Sequence, residues 1–313
     1  MPKICYQDKN FRRSTLEQIA IANQIIEEYD AQGFDLTLRQ LYYQMVARDM
    51  IPNNQKEYDR LGRTINDARM AGLIDWEHIV DRTRNVRSNG HWSSPAGIMH
   101  GAAQSYQIDK WATQPNRVEV WVEKDAMVGV IESICSPLDV AFFSCRGYTS
   151  QSEMWAAAQR VKGHISKGQT VIILHLGDHD PSGIDMTRDI VNRLETFMGG
   201  LEVNRLALNY NQVEEHRPPP NFAKESDSRF RAYHAQFGPS SWELDALNPT
   251  VVRDIIVPAV EQFRDPDLWR QAQELEAEQR ALLEAAADSW DDVTDFLSDI
   301  GLTNFDTNGG VEL

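Results

Sequence analysis

The stretch "TVIILHLGDHDPSGIDMTRDI", residues 170–190, decides the fold. Five of the six residues from Val171 to Leu176 are apolar, the mark of a strand buried on both faces. Asp178 and Asp180 follow, one residue apart, and Pro181-Ser182-Gly183 supplies a turn into a helical run over 183–197. A buried strand that feeds a helix is half of a parallel βαβ unit. The same texture continues on both sides. "VEVWVEK" (118–124) reads as a strand followed by a helix to about Cys135, and "DVAFFSC" (139–145) as the next strand. A helix from about Gln151 to Ile165 and a fourth strand, "EVNRLAL" (202–208), complete the pattern. The expected fold class is α/β, a parallel sheet with helices on both faces. Ligands of such sheets gather beyond the carboxyl ends of the strands. Those ends carry Glu123, Arg146 in the "CRGY" segment, and the pair Asp178/Asp180.

The N-terminal third has a different texture. Helical periodicity runs over residues 11–32, 37–50 and 56–73, with capping-box spacings at Ser14/Glu17 and Thr37/Gln40. The third run places Lys56, Arg60, Arg63 and Arg69 at helical spacings, and "IDWEHIVDRTRNVRSNGHW" (74–92) reads as short strands or an extended basic loop. Three short helices and a hairpin, with arginines on the third helix, form the pattern of a winged helix-turn-helix. A generic small helical domain with a solvated basic face has the same pattern. Beyond residue 209 come a proline-rich connection, an amphipathic helix before Phe263, and the strongly helix-forming run "DLWRQAQELEAEQRALLEAAADSWDDV".

At 313 residues and 42% hydrophobic, the chain has material for two domains with real cores. No run approaches the ~18–20 apolar residues of a membrane helix, and the first residues lack the apolar core of a signal peptide. Three scattered cysteines imply no disulfide framework, so the expected location is the cytoplasm. The net charge of −16 argues against nucleic acid only until it is mapped. Residues 1–117 hold 15 basic against 14 acidic side chains, whereas residues 264–313 hold three against thirteen. A basic face is therefore available in the N-terminal third, and the acidity sits in the C-terminal segment.

Two carboxylates held as close as Asp178 and Asp180 repel unless a cation lies between them. An all-oxygen set suits magnesium, with manganese as the alternative, and Glu123 at the first strand end is the natural third ligand. The pair also fits a plainer role, Asp180 capping the next helix and Asp178 lying in a surface turn. Within "TLRQLYYQ", Tyr42 shares the apolar stripe of Leu38, Leu41 and Met45 and reads as a core aromatic. Tyr43 lies one position round, on the face of Arg39, four residues back. That pair could serve as a nucleophile beside a phosphate-binding guanidinium, or be an ordinary surface pair. His179, between the aspartates, is a candidate for touching a substrate phosphate, while His164 and His175 read as structural. The chain has no P-loop.

Together, "RQLYY", "VEKDAM" and "GDHDPSGIDM" resemble the A subunit of DNA topoisomerase VI and its meiotic double-strand-break relatives, over about residues 35–190. The chain's length is nearer to that of a stand-alone Mini-A-type member. The resemblance implies a winged-helix domain over 1–112, a Toprim domain over 113–260 and an acidic helical segment over 261–313. It makes Tyr43 the nucleophile, with Arg39 and His179 as catalytic partners. Glu123, Asp178 and Asp180 become ligands of magnesium, and Lys56, Arg60, Arg63, Arg69 and Arg146 contacts to double-stranded DNA. The implied activity is DNA cleavage through a 5′-phosphotyrosyl bond, by a cytoplasmic, nucleoid-associated homodimer. In that family each active centre takes its tyrosine and its acids from opposite protomers, and an ATPase B-type subunit is a further partner. The family's Thr-Arg pair after Gly-Tyr-Pro is missing here, where "GYTSQSEMW" stands. Two alternatives stay open: a Toprim nuclease that uses water as nucleophile, and a non-catalytic DNA-binding subunit.

Overall fold

The computed structural model describes residues 3–79, 89–198 and 201–301. In chain order it contains α1 (Arg13–Asp30), α2 (Leu38–Ala47), α3 (Gln55–Met70), α4 (Pro95–Ser105), β1 (Asn116–Val122), α5 (Val128–Cys135), β2 (Ala141–Ser144), α6 (Gln151–Ile165), β3 (Thr170–Leu176) and α7 (Pro181–Met198). There follow β4 (Glu202–Ala207), α8 (Tyr210–His216), β5 (Asn221–Phe222), α9 (Phe230–Phe237), β6 (Ser240–Ser241), α10 (Pro249–Glu261), α11 (Pro266–Asp288) and α12 (Trp290–Asp299). Two compact units result: Met1–Asn85 with Pro115–Arg264, and Val86–Gln114 with Asp265–Leu313. This division differs from the expected breaks near residues 112 and 260. The N-terminal helices cluster with the sheet, and the acidic C-terminal helices cluster with the segment that precedes β1.

In the first unit the α/β expectation holds. Four strands form one parallel sheet in the order β2-β1-β3-β4. The alternation of side chains sends Trp121 and Ile173 into a core with Met154 and Ala158 of α6 and Ile190 and Leu194 of α7. The opposite face is covered by α5 and α10, so helices lie on both sides. The strand order reverses between β1 and β3, and there the crevice opens. Val122 is in register with Leu176, and the Glu123 amide donates to the Leu176 carbonyl at 2.9 Å. The acids that follow β1 and β3 are therefore neighbours by register alone.

One charged pair borders this core, its carboxylate buried and its guanidinium half-exposed. The Glu119 carboxylate, 2% exposed, takes two 2.8 Å hydrogen bonds from the Arg160 guanidinium of α6 and one of 2.9 Å from the Trp121 indole.

The helices α1, α2 and α3 pack on one another through Ile19, Ile25, Leu41, Met45, Leu61 and Ile65, all buried. Thr37 and Gln40 close the expected capping box on α2. Ser14 does not cap α1: the helix begins at Arg13, whose predecessor Arg12 already accepts from Thr15 and Leu16, so Ser14 lies inside the first turn. A single parallel bridge joins Leu36 to Ile79; of the expected hairpin over 74–92, the described residues 74–79 and 89–92 form no strand, and residues 80–88 lie outside the described residues.

In the second unit α4 packs on α11. Ser94 caps α4 and Pro95 occupies its first turn, a start signal that the sequence carries in plain form. Trp111 meets Trp269 edge-on at 5.9 Å, and Glu276 of α11 accepts from the Ile108 amide and from Lys110. No helix among the described residues is long and apolar enough to cross a membrane.

Candidate active site

The crevice at the strand-order reversal opens into a cavity of about 580 Å³. Its walls bring together Arg39 and Tyr43 of α2 with Glu123, Asp178 and Asp180 from the sheet ends. Two glycines make this approach feasible. A Cβ on Gly177 would stand 2.8 Å from the Glu123 carboxylate, and one on Gly183 would stand 2.3 Å from the Asp178 carbonyl. Gly183→Ala is therefore expected to lower stability by about 2–4 kcal/mol and to displace Asp178. Thermal unfolding checks this, and an unchanged melting temperature would refute it.

Each acid has a definite local role. Asp180 Oδ1 accepts from the Gly183 amide at 2.6 Å and from Ser182 Oγ at 2.9 Å, which caps α7 two residues earlier than its periodicity implies. Asp178 is no surface turn residue: it is 6% exposed, accepts from the Leu244 amide at 2.8 Å, and its own amide donates to Glu123 at 2.9 Å. Burial pushes the Asp178 carboxyl up to about 7, against the pull of Lys124. Glu123 is likewise raised, by burial and by Asp180. Arg205 of β4 fixes the loop that carries these acids. Its guanidinium donates to the carbonyls of Asp178 (2.7 Å), Gly183 (2.8 Å), Gly177 (3.2 Å) and Leu208 (3.2 Å).

The tyrosine is wired to the acids by two cations. Arg39 donates to the Tyr43 hydroxyl at 3.4 Å, lies 2.9 Å from Asp245 and is paired with Glu243. Lys124 touches Asp178 at 2.7 Å, Glu243 at 2.9 Å and Asp245 at 3.3 Å. Burial would raise Glu243, but Lys124 and Arg39 outweigh it and hold the carboxyl near 2. Asp245, 1% exposed, is raised by burial.

Tyr43 is 5% exposed, not the surface residue its position off the apolar stripe implies, because α2 packs that face against the turn Leu244–Ala246. Burial and the Glu243 charge push its phenol up to about 12, opposed by Arg39. Glu243→Gln should therefore bring the Tyr43 ionisation down toward the ordinary phenol range. The tyrosinate absorbance that disappears in Tyr43→Phe reads it, and an unmoved titration would leave burial as its only cause. Tyr42 is a core residue as expected, its hydroxyl held by the Asn54 amide at 2.7 Å.

Two expectations need correction. His179 is 2% exposed, bonded through Nδ1 to the Tyr233 hydroxyl at 2.8 Å and packed among Tyr210, Phe237 and Trp242. It is not among the cavity-lining residues, and burial holds its imidazole near 4, hence neutral. Arg69 turns inward, donating to the carbonyls of Trp76 and Ile79 across the Trp76 ring, so it is not presented to a duplex. The tyrosine shares its cavity with acids of its own chain. Lys56, Arg60 and Arg63 are exposed as expected, Arg60 loosely paired with Glu57 at 3.5 Å. Arg146 pairs with Asp125 at 2.8 Å and lines an adjoining cavity with Arg39, Glu123 and Lys124.

Lys124, Glu243, Asp245 and Arg205 escaped the sequence reading. "WELD" repeats the i, i+2 acid spacing of "GDHD", which was the one available signal.

Magnesium needs an all-oxygen donor set with surplus negative charge. The set is chemically suited: six carboxylates line the two cavities that hold Arg39 and Lys124, and burial and mutual repulsion raise Glu123 and Asp178. Among the described residues, however, no three acidic, histidine or cysteine side chains already converge on one point, and the Lys124 ammonium is seated against Asp178. Neither a comparison with protein-family models nor one with curated proteins finds a match.

Proposed function

We infer that this chain cleaves DNA by tyrosine transesterification, in the manner of the topoisomerase VI A subunits that it resembles. One observation carries the reading: Tyr43, Arg39, Lys124 and the acids Glu123, Asp178 and Asp180 line one cavity at the strand-order reversal. On this reading α1–α3 form a winged-helix DNA-binding element and the sheet is a Toprim domain. Tyr43 Oη forms a bond to phosphorus as the bond from phosphorus to the 3′-oxygen breaks. The phenolic proton goes to water in the cavity and the departing oxygen takes one up, leaving a 5′-phosphotyrosyl end. Arg39 and Lys124 are placed to hold the non-bridging oxygens and to neutralise the charge that grows on them. Glu123, Asp178 and Asp180 are the residues that would hold magnesium. The bound ion would neutralise charge on the phosphate and the departing oxygen. Lys56, Arg60 and Arg63 on exposed turns of α3 would track the DNA backbone, and binding would weaken with salt. A double-strand break would need two copies of the chain, and an ATPase partner would be needed for strand passage.

The test is a covalent-adduct assay with end-labelled DNA and magnesium, stopped with denaturant. A labelled adduct that both Tyr43→Phe and Asp178→Ala abolish is the expected result. The Tyr43 phenol held near 12 favours a second reading, hydrolysis by water at the same acids. Cut ends without adduct, surviving Tyr43→Phe but not Asp178→Ala, would establish that reading in place of the first.

A further inference from the structure

The cavity is larger and more aromatic than a phosphate requires. A space of about 580 Å³ is of the size that encloses a whole small ligand. Tyr58, Phe222 and Trp242 line it beside the cations Arg39, Lys124 and Lys224. Phe222 is 91% exposed, the highest value among the large apolar side chains of the described residues. It is not on a loose loop. Its backbone pairs with Ser240 in the ribbon of β5 and β6, and the preceding Asn221 is held by Asn53 at 2.7 Å and by Glu243 at 3.2 Å. The Glu243 that anchors this ribbon is the same carboxylate that bridges Arg39 and Lys124. The ribbon thus presents a bare aromatic face at the rim of a cavity that carries Arg39, Lys124 and Lys224 among its acids. That combination, an aromatic platform next to guanidinium and ammonium groups, is how proteins hold an unstacked nucleotide.

We propose that this cavity takes a nucleotide whose base is unpaired, its base stacked on Phe222 and its phosphate taking the place of the Glu243 carboxylate on Arg39 and Lys124. The inference rests on the DNA-cleavage reading and narrows its substrate. The preferred DNA carries a single-stranded, bulged or mismatched base at the cleavage point, and a continuous duplex is a poor ligand for the cavity. Phe222 is a positioning residue here, since it touches the base and not the reacting phosphate.

The experiment measures equilibrium binding of the full chain, without metal, to three oligonucleotides carrying 2-aminopurine: a single strand, a duplex with a one-base bulge, and a continuous duplex. Wild type is expected to bind the first two at least about tenfold more tightly than the third, with the fluorescence quenched by stacking. Phe222→Ala should remove roughly tenfold of that affinity and the quench, leave duplex binding unchanged, and be rescued by Phe222→Trp. Equal affinity for all three ligands, or a Phe222→Ala variant that matches wild type on each, would overturn the inference. The two readings fail separately. A Tyr43-dependent adduct with no effect of Phe222→Ala sinks the base pocket and keeps the cleavage. A Phe222-dependent quench with no adduct keeps the pocket and sinks the cleavage.

Discussion

Mixing the Tyr43→Phe and Asp178→Ala proteins should give no covalent adduct at any ratio, although each variant lacks only one half of the centre. Each substitution alone is expected to reduce adduct formation by more than ~10³-fold, because nucleophile and charge-stabilising acid act as a unit. The mixture asks a separate question. If the tyrosine of one protomer worked with the acids of another, a mixed dimer would pair the intact Tyr43 of one variant with the intact acids of the other, and cleavage would return. The geometry predicts otherwise. Arg39 touches Tyr43 on the same helix and reaches Glu243 and Asp245 of the same chain, and Lys124 carries the contact on to Asp178. Restored adduct in the mixture, with the separate variants inactive, would overturn a centre built within one chain.

A large loss of stability is expected from Arg160→Ala, which strips the buried Glu119 carboxylate of two hydrogen bonds and its counter-charge. Breaking one side of a buried pair typically costs about 3–5 kcal/mol. Arg160 is 42% exposed and partly screened by water, so about 2–3 kcal/mol is the better figure here. The sign of the pH dependence follows from Glu119. Burial would raise its carboxyl, but the Arg160 hydrogen bonds outweigh that and hold it below the ordinary glutamate range. A depressed folded-state value stabilises the protein above the unfolded value of ~4.3 and is lost as pH falls through the folded one. Urea titrations should therefore show the gap between wild type and Arg160→Ala widest near neutrality and closing in acid. A gap that stayed constant below pH ~4 would mean that the loss comes from packing of the arginine stem and not from charge.

The parallel sheet was legible because its signals are local. A short, β-branched apolar run such as 171–174, bounded by glycines at 168 and 177, reads as a doubly covered strand, and the expected limits of β3 and α6 match those observed. Glu123 and Asp178 were legible for a related reason, since strand ends at an order reversal are where such folds place ligands. The plainer role for Asp180 and the chemical one proved compatible, because one of its oxygens caps α7 and the residue still lines the cavity.

What the sequence could not disclose were choices made by packing between distant segments. His179 stands between two cavity-lining acids, yet strand-like alternation turns its ring away into Tyr233 and Phe237, where desolvation keeps it neutral. Tyr43 lies off the stripe of its own helix, but a helix has a second face, and the turn at Leu244–Ala246 covers it. Arg69 has helical spacing with the exposed basic residues and is captured by the carbonyls at 76 and 79. Glu243 and Asp245 lie about 120 residues from Lys124 in the chain and meet it only when the sheet is closed. Hydrophobic period, capping and turn chemistry depend on neighbours in sequence, and they determined the elements and the edge on which a site had to lie. Burial, counter-charge and the wiring of Tyr43 to the acids depend on which segments exclude water from one another, and only the tertiary structure decided those.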